Sequence, residues 1–178
     1  MDTEFRNIAL VGRQTDVRVA EPMRVLANYL TKAGIKVTAA EALTLDLPVT
    51  RVAEEQLCDD ADLVIAIGGD GTMLYASRLA RIRGTPILGV NRGRLGFLAD
   101  ITPDEMITSV EQVLAGKYIK DSRLLLKALL STAAGDEVVE YGLNDVVVQR
   151  RGSGGMVDFS TSVAGQYVNT HSGDGLIF

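Results

Sequence analysis

One cysteine, one histidine and a net charge of -5 among 178 residues remove several classes of function at the outset. Cys58 has no partner for an intrachain disulfide, and no Cys-rich metal site can form. Asp59 and Asp60 beside it would raise a thiol pKa, so Cys58 reads as a small buried apolar residue. His171 has no visible triad or metal partner and reads as a surface or loop residue, with ligand contact as the alternative. The negative balance argues against a broad nucleic-acid footprint, so any phosphate affinity must be local, from groups such as Arg78, Arg81, Arg83, Arg92 and Arg94. For the first three, an outward helical charge face is the commoner explanation. The chain opens with no basic segment followed by an apolar stretch, and no later apolar run approaches membrane-spanning length. A soluble protein of a reducing compartment, the cytoplasm, is expected, with no nucleic-acid or membrane partner.

What is present is an ordinary globular composition, 47% hydrophobic and 23% charged. Asn7-Ile8-Ala9-Leu10-Val11, ending at Gly12, reads as a strand. A helix should follow with Val25, Leu26, Tyr29, Leu30 and Ala33 on one face and Gly34 closing it. Ile35-Lys36-Val37-Thr38 reads as a second strand, residues 52–57 as a short helix, and Leu63-Val64-Ile65-Ala66-Ile67 as a third strand buried on both faces. The next helix carries Met73, Ala76 and Ala80 inward and stops at Gly84 and Pro86, before a buried strand over residues 86–90. Thr102-Pro103-Asp104-Glu105 has the form of a capping box opening a helix that ends at Gly116. Such alternation predicts an α/β domain over residues 1–120, with a parallel sheet covered on both faces.

From residue 121 to 178 the texture becomes β-rich. Leu124-Leu125-Leu126, Val146-Val147-Val148 and residues 156–163 are strand-like, and Gly-rich turns at residues 151–155 and 164–166 separate them. Few strands follow before Leu176-Ile177-Phe178, so this second domain is expected to be incomplete.

The chemistry-bearing segment is Gly68-Gly69-Asp70-Gly71-Thr72, between a buried strand and a helix. Glycines allow close backbone approach to phosphates, and a helix N-terminus attracts negative charge. An acid facing polyphosphate must accept a hydroxyl proton or help hold a divalent cation, and both roles belong to phosphoryl transfer. Taken alone, the segment reads more readily as a tight strand-to-helix turn with Asp70 as a local cap. A β-branched residue at position 71 should tolerate neither positive φ nor phosphate approach. The P-loop arrangement is missing, as is a Gly-x-Gly-x-x-Gly fingerprint at the first strand.

Three further segments accompany it: Gly89-Val90-Asn91-Arg92-Gly93-Arg94-Leu95-Gly96-Phe97-Leu98, Leu143-Asn144-Asp145-Val146-Val147-Val148 and Ser172-Gly173-Asp174-Gly175-Leu176-Ile177. Alone, the first is a Gly-rich loop leaving a strand, with Leu95 and Phe97 open to either packing or ligand contact, and an Asn-Asp pair is usually a turn. Together with the Gly-Gly-Asp-Gly-Thr turn they resemble the NAD kinase family, and the resemblance spans essentially the whole chain. Gly-Gly-Asp-Gly is shared with phosphofructokinases and lipid kinases; the stretch from Gly89 to Leu98 narrows the choice.

The resemblance implies ATP-dependent phosphorylation of the adenosine ribose 2′-hydroxyl of NAD, giving NADP. It implies Asp70 as the catalytic group, ATP phosphates at Gly68, Gly69, Gly71 and Thr72, and NAD at Asp70, Asn91, Phe97, Asn144, Asp145 and Asp174. Mg²⁺ or another divalent metal would accompany ATP, and the complete enzyme would be a homo-oligomer. Family members continue beyond Asp-Gly-Leu-Ile, so the chain resembles an amino-terminal portion whose own activity is in question. A lipid or sugar kinase, or a non-catalytic dinucleotide-binding fragment, is the alternative.

Overall fold

Apolar runs that alternate with helix-period segments need a sheet with helices on both faces, and the first part of the chain builds one. The computed structural model describes residues 3–12, 17–92, 96–150, 152 and 155–178. The chain divides into two compact units, Met1–Asp121 and Ser122–Phe178. The first unit runs β1 (Asn7–Gly12), α1 (Val17–Lys32), β2 (Lys36–Ala40), β3 (Thr50–Val52), β4 (Leu63–Gly68), α2 (Asp70–Ala80), β5 (Ile87–Asn91) and α3 (Met106–Leu114). Its strands form one parallel sheet in the order β3-β2-β1-β4-β5. All of β4 is buried, as a central strand covered on both faces requires.

The strand period of two sorts the side chains into two cores. On one face Ile8, Leu10, Leu63, Ile65 and Ile67 meet Val19, Met23, Leu26 and Leu30 of α1 and Met106, Val110 and Leu114 of α3. On the other, Ala9, Val11, Val64 and Ala66 meet Ala76 and Ala80 of α2. The smaller side chains there let α2 lie close to the sheet. Asp62 ties the starts of β1 and β4 together: its Oδ2 accepts the N–H groups of Arg6 and Asn7, each at 2.8 Å. The helix stops expected at Gly34, Gly84 and Gly116 take positive φ of 79°, 67° and 75°, a conformation that only glycine adopts cheaply.

Several local expectations are corrected. Val25 does not face the core but is 43% exposed; the buried stripe of α1 runs through Val19, Met23, Leu26, Ala27 and Leu30. The short helix expected over residues 52–57 is a single 3-10 turn, Glu54–Gln56, preceded by β3, whose three residues are too few to show a period. No capping box forms before α3, because the Thr102 hydroxyl donates to the Glu105 carboxylate at 2.7 Å and Glu105 itself is the N-cap residue. Strand β7 was not anticipated, since Val138 and Val139 are adjacent and break the alternation.

The second unit is a set of three antiparallel ribbons, which completes an α/β-then-β architecture. They pair β6 (Leu126–Ser131) with β7 (Glu137–Gly142), β8 (Val147–Gln149) with β11 (Gly175–Ile177), and β9 (Val157–Val163) with β10 (Gln166–Gly173). Ala164 and Gly165, with φ of 51° and 79°, make the two-residue turn between β9 and β10. Arg151, Ser153 and Gly154 of the other expected turn lie outside the described residues. Among the described residues, no hydrophobic side chain beyond Leu114 is buried, so these ribbons have no core of their own. No helix among the described residues is long and apolar enough to cross a membrane.

The corrected face of α1 is directly testable by urea unfolding. Leu26→Ala should lose about 2–5 kcal/mol, the usual range for emptying a core site. Val25→Ala should change stability by no more than about 0.5 kcal/mol. Equal losses would return Val25 to the core.

Candidate functional site

The sheet order reverses between β1 and β4, with α1 and α2 packed on opposite faces. Such a reversal opens a crevice beyond the carboxyl ends of the strands, where open α/β sheets place their ligands. Those ends are Gly12 of β1, Gly68 of β4 and Asn91 of β5. Residues 13–16, which follow β1, lie outside the described residues.

The chain passes from β4 into α2 across one residue. A Cβ on Gly68 would overlap the Thr72 hydroxyl and lie 2.7 Å from Thr72 Cβ, so only glycine fits beneath the buried Thr72. Gly69 caps α2 in extended conformation (φ -103°, ψ -170°), and no side chain caps the helix. Its carbonyl accepts the N–H groups of Thr72 at 2.8 Å and Met73 at 3.2 Å. The N–H groups of Asp70 and Gly71 precede the first intrahelical donor, the Thr72 N–H, so this end presents free donors and the positive pole of the helix dipole. The expectation that Gly71 requires positive φ is overturned. It is the second residue of α2, it is not among the glycines of positive φ, and an added Cβ would meet nothing within 4 Å. What glycine leaves there is open space.

Asp70, the first residue of α2, reaches across to the loop that leaves β5. Its Oδ2 accepts the Phe97 N–H and its Oδ1 accepts the Leu98 N–H, both at 3.1 Å. A Cβ on Gly96 would overlap Asp70 Oδ1 and lie 3.0 Å from its Cγ, so glycine at this position permits the approach. The base of the loop is fastened separately. Asn91, 3% exposed, donates its amide to the Ala99 carbonyl at 3.2 Å, and its N–H goes to the Ile101 carbonyl at 2.7 Å. The Arg92 N–H bonds the Gly68 carbonyl at 3.1 Å. Gly93, Arg94 and Leu95 lie outside the described residues, as does the question of whether Leu95 packs. Phe97 is 92% exposed and so enters no core of this unit.

The first unit thus brings together Gly68, Gly69, Asp70, Gly71, Thr72, Asn91 and Phe97. Sequence reasoning passed over Gly96 and the N–H groups of Phe97 and Leu98; the second glycine of the Gly-x-Leu-Gly-Phe-Leu run was the available signal. In the second unit, Asn144 and Asp145 are exposed in the bend before β8, and Asp174 is exposed between β10 and β11. The β8–β11 ladder runs from Val146 opposite Phe178 to Arg150, whose N–H bonds the Asp174 carbonyl at 3.0 Å. Asp145 and Asp174 therefore sit at opposite ends of this ribbon, roughly 16 Å apart at about 3.3 Å per residue.

Other ionisable groups lie outside this cluster. Burial pushes the Tyr75 hydroxyl pKa up, and its hydrogen bond to the Glu54 carboxylate adds to the shift. Burial also raises the Cys58 thiol, with Asp59 contributing, so this cysteine is a poor nucleophile. His171 is exposed in β10.

Among the described residues no cluster of three or more His, Cys, Asp or Glu side chains could cage a metal. Asp70 supplies a carboxylate at the turn, and Mg²⁺ commonly takes one or two carboxylates and completes its shell with water and phosphate oxygens. A single carboxylate at the turn suits an ion carried in with phosphates.

Comparison with known proteins bears on the same segments. Residues 8–118 match the model of the ATP-NAD kinase N-terminal domain. The chain is 45% identical to the NAD kinase of Hahella chejuensis, over 98% of its own length and 60% of that protein. It is 38% identical to the NAD kinase of Paraburkholderia phytofirmans, over 98% and 59%. The chain thus spans about 60% of the length of these relatives. A crystal structure of yeast NADH kinase complexed with NADH shares the fold, with a TM-score of 0.87 at 19% identity over 99% of this chain and 57% of that one.

The two glycines of the turn should respond differently in thermal melts. Gly68→Ala should destabilise by about 1–3 kcal/mol, because its Cβ is driven into Thr72. Gly71→Ala should change stability by less than about 1 kcal/mol, in the stabilising direction, since alanine favours helix and finds open space. Equal destabilisation would mean that the turn is packed otherwise.

Proposed function

This chain belongs to the ATP-NAD kinase family, and from that premise we propose that it carries the phosphoryl-transfer part of an enzyme that uses ATP to phosphorylate NAD at the adenosine ribose 2′-hydroxyl. The observation that carries the proposal is the placement of Asp70. It stands at the first turn of α2, beside the switch point of the sheet, within hydrogen-bond reach of the loop that distinguishes this family from other Gly-Gly-Asp-Gly kinases.

In this reading the ATP phosphates lie against the open end of α2, at Gly68, Gly69, Gly71 and Thr72, where N–H donors and the helix dipole favour negative charge. The ribose hydroxyl of NAD lies against Asp70. Each Asp70 oxygen already accepts one N–H, and a carboxylate has about four lone-pair sites, so one remains on each oxygen for the hydroxyl. The hydroxyl oxygen bonds to the γ-phosphorus, the bond from that phosphorus to the β-phosphate oxygen breaks, the proton passes to Asp70, and ADP leaves. A divalent ion bound with ATP would neutralise phosphate charge. Asn144 and Asp145 would hydrogen-bond base and ribose groups of the dinucleotide, and Asp174 its nicotinamide half. Asn91, whose amide is committed to Ala99, would serve the NAD site by shaping the loop. The single buried cysteine suits the cytoplasm. A homo-oligomer is proposed on the apolar surface of the second unit, where Leu129, Leu130, Val138 and Val139 are all exposed.

A coupled assay for NADP formation, on this chain and on a version extended to the full length of its relatives, tests the activity. In the extended form, Asp70→Asn should lower turnover by at least about 10²-fold, as expected for loss of a positioned base. Near-normal turnover would remove Asp70 from the chemistry. Asp145→Ala should weaken NAD binding by about 1.5–3 kcal/mol while ATP binding is kept. Calorimetry reads both; equal weakening would make Asp145 a support of the fold. NAD binding without turnover in the extended form would favour a non-catalytic binding module.

A further inference from the structure

Two N–H groups converge on the Asp70 carboxylate, one on each oxygen, and the proton transfer proposed for Asp70 requires neither. Asp70 belongs to a regular helix, whereas residues 96–98 have no regular structure. The two bonds therefore constrain the loop more than they constrain the helix. Among the described residues, the bonds from Asn91 to Ala99 and Ile101 hold the base of the loop, and the bonds to Asp70 hold residues 97 and 98. With 92% of its surface exposed, the Phe97 ring has little packing to orient it. The direction of the ring thus depends on the backbone of residues 97 and 98.

We propose that Asp70 is also a positioning residue: its carboxylate clasps the turn at residues 96–98 and so presents the Phe97 ring as an apolar wall for the dinucleotide. Gly96 is the other half of the clasp, because a Cβ there would overlap Asp70 Oδ1, so that either the carboxylate or the loop must shift away from the bonded arrangement. The clasp requires a carboxylate. An asparagine could accept one N–H through its oxygen but would turn an NH₂ donor toward the other. The clasp stands on geometry alone, while the identity of the ligand at Phe97 rests on the proposed kinase reading.

Amide hydrogen exchange by NMR on the 178-residue chain tests the clasp without any ligand. The Phe97 and Leu98 amides should be protected in the wild type, and Asp70→Ala should speed exchange at both by about 10- to 100-fold, the range for losing a bond to a charged acceptor. Asp70→Asn should release one of the two, Gly96→Ala both, and Gly71→Ala neither. Fast exchange at both amides in the wild type, or no change in Asp70→Ala, would overturn the clasp.

Calorimetry with NAD and with ATP then tests positioning. Gly96→Ala, which leaves Asp70 and Phe97 chemically intact, should weaken NAD binding about tenfold, as Phe97→Ala also should, and leave ATP binding unchanged. Released amides with unaltered NAD affinity would overturn the positioning role. If the wild-type chain binds no NAD, the assignment of the dinucleotide to Phe97 falls, and the exchange data still decide the clasp.

Discussion

The site depends on how closely two stretches of backbone approach at the end of β4, and in two places it is the absence of a side chain that permits the approach. Gly68 lies directly beneath the Thr72 side chain, so strand passes to helix with a single residue between them. Gly69 caps the helix in extended conformation, which brings Asp70 to its first position. Gly96 lets the loop leaving β5 close on the Asp70 carboxylate. The approach places a carboxylate and a set of N–H donors in the same small volume. That combination suits a reaction in which a hydroxyl loses a proton beside a polyphosphate.

Rigidity behind this arrangement comes from the layered first unit. Large aliphatic side chains fill the face under α1 and α3, while alanines line the face under α2. The close seating of α2 on small residues fixes its N-terminus relative to the strand ends. Gly89 shows how tight the fit is, since a Cβ there would lie 2.7 Å from Met73 Sδ and 2.8 Å from Ala99 Cβ. The same packing therefore sets the helix end and the return of the loop.

The second unit follows a different principle. Its ribbons are held by backbone ladders and by exposed hydroxyl pairs, such as Ser160 with Thr170 at 2.9 Å, and not by a buried core. Two-stranded ribbons without a hydrophobic face to bury are marginal on their own. The candidate dinucleotide residues of this unit, Asn144, Asp145 and Asp174, lie at the two ends of the β8–β11 ladder, a placement that suits contact with separate parts of an extended ligand.

By itself the sequence determined the parallel α/β architecture, the central buried strand, the helix stops at Gly34, Gly84 and Gly116, and the family, because these follow from residue periodicity, glycine chemistry and local motifs. It also located the segments from which the candidate site is drawn. It misjudged Val25, because a helical stripe is defined only once the helix start is known, and it missed β3 and β7, whose short or unalternating patterns carry no period. Only the tertiary structure decided that the Asp70 carboxylate meets the N–H groups of Phe97 and Leu98, residues 27 and 28 positions away in the chain. Backbone donors have no letter in the sequence. Their partners are set by where the sheet order and the packing of α2 bring two distant turns together.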